Sequence, residues 1–110
     1  MVYKDGKRIC PVERTISLIG DKWSLMIFRD LHYSTEPLRF NQLLRSLRPI
    51  SSKTLSAKLK ELQKFEIVKK QAVSITPVVI HYSLTEKGKD LTGVMDAMAK
   101  WSLKWNMDVP

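Results

Sequence analysis

Apolar residues return every three or four positions along most of this chain, and the phase of that return divides it into helices. Val12, Ile16 and Ile19 mark one face of a first helix, which Pro11 can open and Gly20 can end. Asp21 can cap a second helix. There Trp23, Leu25, Met26, Ile27, Phe28 and Leu31 leave so little polar surface that burial on most sides, at the centre of the core, is expected. After a turn-like stretch from Tyr33 to Pro37, Leu38 to Phe40 can form a brief strand. Phe40, Leu43, Leu44 and Leu47 then give the i, i+3, i+4, i+7 spacing of a third helix, broken at Leu47, Arg48 and Pro49.

Residues 51–64 carry two stripes at once. Leu55, Leu59 and Leu62 fall within a narrow arc, while Lys53, Ala57, Lys60 and Lys64 recur about half a turn away. One face suits a core and the other suits phosphates. The entry to this helix is locally specified: Pro49 disfavours continuation of the preceding helix, Ser51 can cap the free N–H groups, and Ile50 can staple onto Leu55. Two helices joined by a short turn form a helix-turn-helix, whose second helix enters the major groove of DNA. Val68 to Val73 and Val78 to Leu84 follow as two strand-like runs around Thr76-Pro77, and a hairpin in that place is a wing.

The last helix is expected from about Thr85, with Leu91, Val94, Met95, Met98, Trp101 and Trp105 on one broad stripe. A winged-helix unit closes its core without those last turns, so the aromatic end calls for a partner, most economically a second copy in a twofold homodimer; the alternative is that Trp101 and Trp105 cover the core of their own chain. The expected fold class is thus α+β and mostly α: a winged helix-turn-helix with a two-stranded wing and a long C-terminal dimerisation helix. Residues 1–9 are expected as a flexible N-terminal arm and residues 10–110 as the one domain.

Charge sharpens this picture. The 110-residue chain has 19 Lys and Arg against 11 Asp and Glu, a net charge of +8, which favours polyanionic partners. Half of that excess is local, since residues 51–73 hold six lysines and two glutamates. Nucleic acid therefore leads, and double-stranded DNA leads within it because no aromatic residues interleave with the lysine stripe to stack single-stranded bases. An acidic membrane is the runner-up partner on charge; no apolar run approaches the ~20 residues of a membrane span, and the overall expectation is no membrane partner. The lone cysteine, Cys10, fits a reducing, cytoplasmic setting. With two histidines and one cysteine there is no metal-ligand cluster of recognised spacing, and no phosphate loop, carboxylate pair or nucleophile motif points to an enzyme or a cofactor.

Several segments together resemble a known family. Cys10-Pro11, Gly20-Asp21-Lys22-Trp23, Leu38-Arg39-Phe40-Asn41 with Leu43, Ile50-Ser51 with Leu55, and Tyr82-Ser83-Leu84-Thr85-Glu86-Lys87-Gly88 stand in the order and spacing of the HxlR-type transcriptional regulators, related to the MarR type. The resemblance implies a homodimer built by terminal helices on pseudo-palindromic operator DNA. Two positions depart from the pattern: Glu66 stands where a glycine usually precedes the wing, and Val79 where a basic residue is common on it.

Base readout is expected from Ser52, Lys53 and Ser56, with Ser51 at the helix entry, and phosphate contact from Arg39 and Lys60; Lys70 is a further expected DNA-binding residue. The bland reading of the lysine stripe is a solvated face; a winged helix that binds RNA or another protein is the alternative function. Cys10 precedes the first helix among Lys7, Arg8 and Arg14, where a thiolate would be stabilised. The resemblance implies a sensor of oxidants or electrophiles there, and a small buried hydrophobe at a helix cap is the equal alternative from the residues alone. A small-molecule or oxidant signal is thus a possible partner.

Overall fold

The computed structural model describes residues 2–105, and for residues 2–4 and 9 their backbone only. Two strands, β1 (Val2–Lys4) and β2 (Lys7–Ile9), precede the helices α1 (Pro11–Ile19), α2 (Lys22–Tyr33), α3 (Phe40–Ser46) and α4 (Ser52–Lys64). The strands β3 (Val68–Ile75) and β4 (Val78–Leu84) and the helices α5 (Glu86–Lys89) and α6 (Thr92–Lys104) complete the chain. None of these helices is long and apolar enough to cross a membrane.

The core is built by α2, α3 and α4. Ile27, Phe28, Leu43, Leu47, Leu55, Leu59 and Leu62 are sealed from solvent, and Ile67, Val68, Tyr82 and Leu84 at the base of the wing close over them. Each such side chain contributes roughly 1.5–3 kcal/mol by leaving water. The expected caps form. Asp21 accepts from the Ser24 N–H at 3.0 Å and from the Ser24 hydroxyl at 2.6 Å, while Ser51 accepts from the Thr54 N–H at 3.1 Å. Gly20 ends α1, and its role is close approach: a Cβ there would stand 2.5 Å from the Ile16 carbonyl oxygen.

The junction between α4 and the wing explains one departure from the family pattern. Phe65 caps α4, the Glu66 N–H donates to the Gln63 carbonyl at 3.0 Å, and the Ile67 N–H reaches back to Leu62 at 2.9 Å. These two bonds make a Schellman ending, which requires a left-handed residue after the cap. Glu66 supplies it with φ +61°, a conformation in which glycine would be unstrained. Buried Ile67 and Leu62 meet across the turn as this motif favours.

Five expectations need correction. The N-terminal segment read as a flexible arm forms an antiparallel hairpin over residues 2–9, turning at Asp5 and Gly6 with φ +52° and +72°. Met1 of that arm, and residues 106–110 of the expected domain, lie outside the described residues. On α1 only Ile19 is buried, and Val12 and Ile16 are exposed. The brief strand at Leu38–Phe40 shrinks to one bridge between Leu38 and Tyr82, because Phe40 already begins α3. In the wing, β3 runs on to Ile75, past an irregularity between Ala72 and Ser74. The single long C-terminal helix is two. Leu91 donates back only three residues, to Gly88 at 3.0 Å, and the poor helix formers Thr92 and Gly93 follow, so α6 starts afresh.

Candidate nucleic-acid interface

Helix α4 separates its two chemistries cleanly. Leu55, Leu59 and Leu62 are 0%, 1% and 0% exposed, while Lys53, Ala57, Lys60 and Lys64 all lie on the open side. Position on the helix decides which lysines are free. Lys58 is half-buried and stands 3.5 Å from both Asp21, the N-cap of α2, and Glu61, so its charge is compensated within the fold. Among the described residues no carboxylate lies within ion-pair distance of Lys53, Lys60 or Lys64. Burial alone would raise the Asp21 carboxyl, but the two Ser24 hydrogen bonds and the Lys58 charge outweigh it and hold it below its ordinary 3.8.

The first turn of α4 presents Ser52 and Lys53 fully and Ser56 partly. Ser51 is exposed, yet its hydroxyl is engaged: it accepts from the Thr54 N–H and donates to the Thr54 hydroxyl at 3.0 Å. Its part in the interface is to hold the turn that carries Ser52 and Lys53. Arg39 is exposed just before α3, with its backbone N–H donating to the Gln42 Oε1 at 2.8 Å. Lys70 is exposed on β3 opposite Tyr82 and so shares the sheet face that looks toward the helices. Arg45, not singled out from the sequence, is exposed on α3 beside Arg39 in one groove.

The expected dimer stripe divides. Leu91 and Met95 pack partly against the core, whereas Val94, Met98, Trp101 and Trp105 are exposed, Trp101 by 58%. The exposed part does not stand alone. Val12 and Ile16 of α1, 65% and 59% exposed, line with Pro11, Thr15 and Val94 a shallow cavity of about 390 Å³, so the exposed face of α1 meets that of α6 at Val94. The sequence signal for it was present as the α1 stripe, whose apolar spacing cannot distinguish a face that meets its own core from one that meets another chain.

Cys10 is half-buried at the cap position of α1, with no side-chain cap bond, and lines an open cavity of about 350 Å³ with Arg8, Glu13, Arg14 and Ser17. Among the described residues no three His, Cys, Asp or Glu side chains gather to hold a metal ion.

A sequence profile described as HxlR-like helix-turn-helix matches residues 18–109. The chain is 40% identical over 93 residues to the HTH-type transcriptional regulator YdzF of Bacillus subtilis, covering 84% of each. It is 39% identical over 98 residues to the HTH-type transcriptional regulator YodB of the same organism, covering 88% of this chain and 86% of YodB. The reduced form of YodB superposes with a TM-score of 0.75 at 38% identity over 86% of this chain and 92% of that one, and YodB structures after diamide treatment and with a quinone bound are similar too. The redox regulator HypR in its oxidised form gives a TM-score of 0.80 at 34% identity, over 91% of this chain and all of HypR.

Proposed function

The chain belongs to the HxlR-like helix-turn-helix family of DNA-binding transcriptional regulators, and from that premise we propose that it acts as a homodimer on a pseudo-palindromic operator, with α4 in the major groove. The observation that carries this reading is the division of α4. Its leucines are closed off by the chain's own core, so its lysine face is left with no structural task. Ser52, Lys53 and Ser56 read base edges; Lys60, Arg39 and Lys70 hold phosphates. The apolar surface of α1 and α6 supports the second copy, because two reading helices must reach major grooves ~34–36 Å apart. Binding to random duplex DNA should fall steeply with salt, with a slope of log K against log salt of about −0.9 per phosphate neutralised. A salt-insensitive or absent interaction would leave a protein-binding winged helix as the better reading.

The signal proposed for this regulator is an oxidant or electrophile acting at Cys10. YodB and HypR, redox regulator by name in the second case, support that reading, and the open cavity beside Cys10 gives a reagent access. Cys10 is the only cysteine, so oxidation yields a Cys10–Cys10 bridge between subunits or a mixed disulfide with a small thiol. In either product two thiols lose two protons and two electrons to the oxidant. Operator affinity of the wild type should change after mild oxidant and that of Cys10→Ser should not; identical responses would remove Cys10 from the mechanism.

A further inference from the structure

Between α3 and the start of β4 lies a groove of about 420 Å³ whose walls differ in chemistry. The outer side of α3 forms one wall, where Arg39, Asn41, Gln42 and Arg45 are all exposed. The start of β4 forms the other, with Val78 and Ile80. Two backbone hydrogen bonds fix the walls to each other: the Leu38 N–H donates to the Tyr82 carbonyl at 2.9 Å, and the Tyr82 N–H donates to the Leu38 carbonyl at 2.7 Å. Val78 has the strand parity of Ile80, Tyr82 and Leu84 and extends their side of the sheet beyond the core, which is why it is 64% exposed. Among the described residues neither Arg39 nor Arg45 has a carboxylate partner, and residues 73–80 contain no charged side chain at all.

An occupant of this groove must show anionic groups to one wall and uncharged, largely apolar groups to the other, repeating along a line. The sugar–phosphate backbone of DNA has that alternation. In a helix-turn-helix the first helix crosses the backbone while the second enters the groove, and here α3 is that first helix. We propose that the groove seats one DNA strand, with Arg45 joining Arg39 on successive phosphates and Val78 and Ile80 against deoxyribose. The wing tip, residues 73–80, is then an uncharged wall that fixes the strand, while Lys70 lies nearer the base of the wing, and valine at position 79 is consistent with that division. This inference rests on the DNA-binding reading above.

Anisotropy titrations of labelled duplex DNA from 50 to 200 mM salt test it, using the wild type, Arg45→Ala, Arg45→Lys and Val78→Ser. Arg45→Ala should lose roughly tenfold in affinity for every sequence and reduce the magnitude of the salt slope by about 0.9. Arg45→Lys should restore the slope. Val78→Ser should lose about threefold with the slope unchanged, because an apolar contact releases no counterion. A wild-type slope in Arg45→Ala, or a Val78→Ser protein that binds as the wild type does, overturns the groove assignment and leaves the α4 reading intact. A wild type that binds no duplex overturns both.

Discussion

Helices α4 and α6 are each thirteen residues long and each carries an apolar stripe, yet α4 hides its leucines completely and α6 buries no residue. The difference lies in what the chain supplies opposite them. α4 faces α2, α3 and the wing base, which together exclude water from Leu55, Leu59 and Leu62. α6 faces only the edge of that core, through Leu91 and Met95, and its stripe continues past it into solvent with Val94, Met98 and Trp101. A closed stripe does its work in folding and frees the opposite face for a charged ligand. An open stripe has its work still to do, and that work is apolar.

The comparison breaks most visibly at the buried stripe. Leu59→Ala empties a site inside the closed core, so it should destabilise the fold by about 2–5 kcal/mol in denaturant titration. An equal truncation on α6, Met98→Ala, should leave the fold of the single chain within about 0.5 kcal/mol, since Met98 is already open to water. Trp101→Ala should instead weaken self-association by at least about 2 kcal/mol, read as the dimer constant in sedimentation, because a central aromatic anchor is lost. Val12→Ser or Ile16→Ser should weaken the same constant if α1 shares the surface.

On the polar face of α4, Lys53→Ala and Lys60→Ala sharpen the contrast further. Lys53→Ala should cost ~1–3 kcal/mol on preferred sequences and relax discrimination, whereas Lys60→Ala should weaken all sequences alike. Equal, sequence-blind losses would place both lysines on phosphates. At the end of α4, Glu66→Gly should raise stability by about 1 kcal/mol, since the left-handed backbone is retained and the Cβ strain removed. A loss there would mean that the glutamate side chain is needed.

The smallest effect is at the other end of the α2–α4 contact. The Asp21 carboxyl is held below 3.8 in the folded state, so its contribution is present above that unfolded-state value and is lost as pH falls through the folded value. Its side chain is 42% exposed and its partners are screened. Asp21→Asn should therefore cost at most about 0.5 kcal/mol near neutral pH, and its melting temperature should fall less steeply than the wild type's below pH 4.

What could be read in the sequence was what short spacing determines. Asp21 and Ser51 as caps, the leucine face of α4, the turn before it and the wing after it all follow from neighbours within a few residues. Features decided at a distance were not legible. The α1 stripe of Val12 and Ile16 has core spacing, and only the placement of α6 beside it shows that it meets no core. The close approach of Gly88 on α5 to the Ile67 carbonyl, where a Cβ would clash, spans the wing and has no local signal. The N-terminal hairpin had a local signal in Asp5-Gly6, a type I′ turn pair, but its three-residue strands are too short for an alternation to register. Arg45 lay in the sequence as one more solvated cation. Its significance comes from the wing tip, which the Leu38–Tyr82 pairing brings to the same groove.

The central claim is that the closed stripe and the open stripe serve one assembly, in which α6 and α1 join two chains so that two copies of α4 can read one duplex. Its most direct test is the stoichiometry of the complex on a fragment selected from genomic DNA, measured by sedimentation of protein and labelled duplex together. Two chains per site, falling to weak single-chain binding in Trp101→Ala, is the expected result. A single wild-type chain that occupies the selected site at full affinity would contradict it.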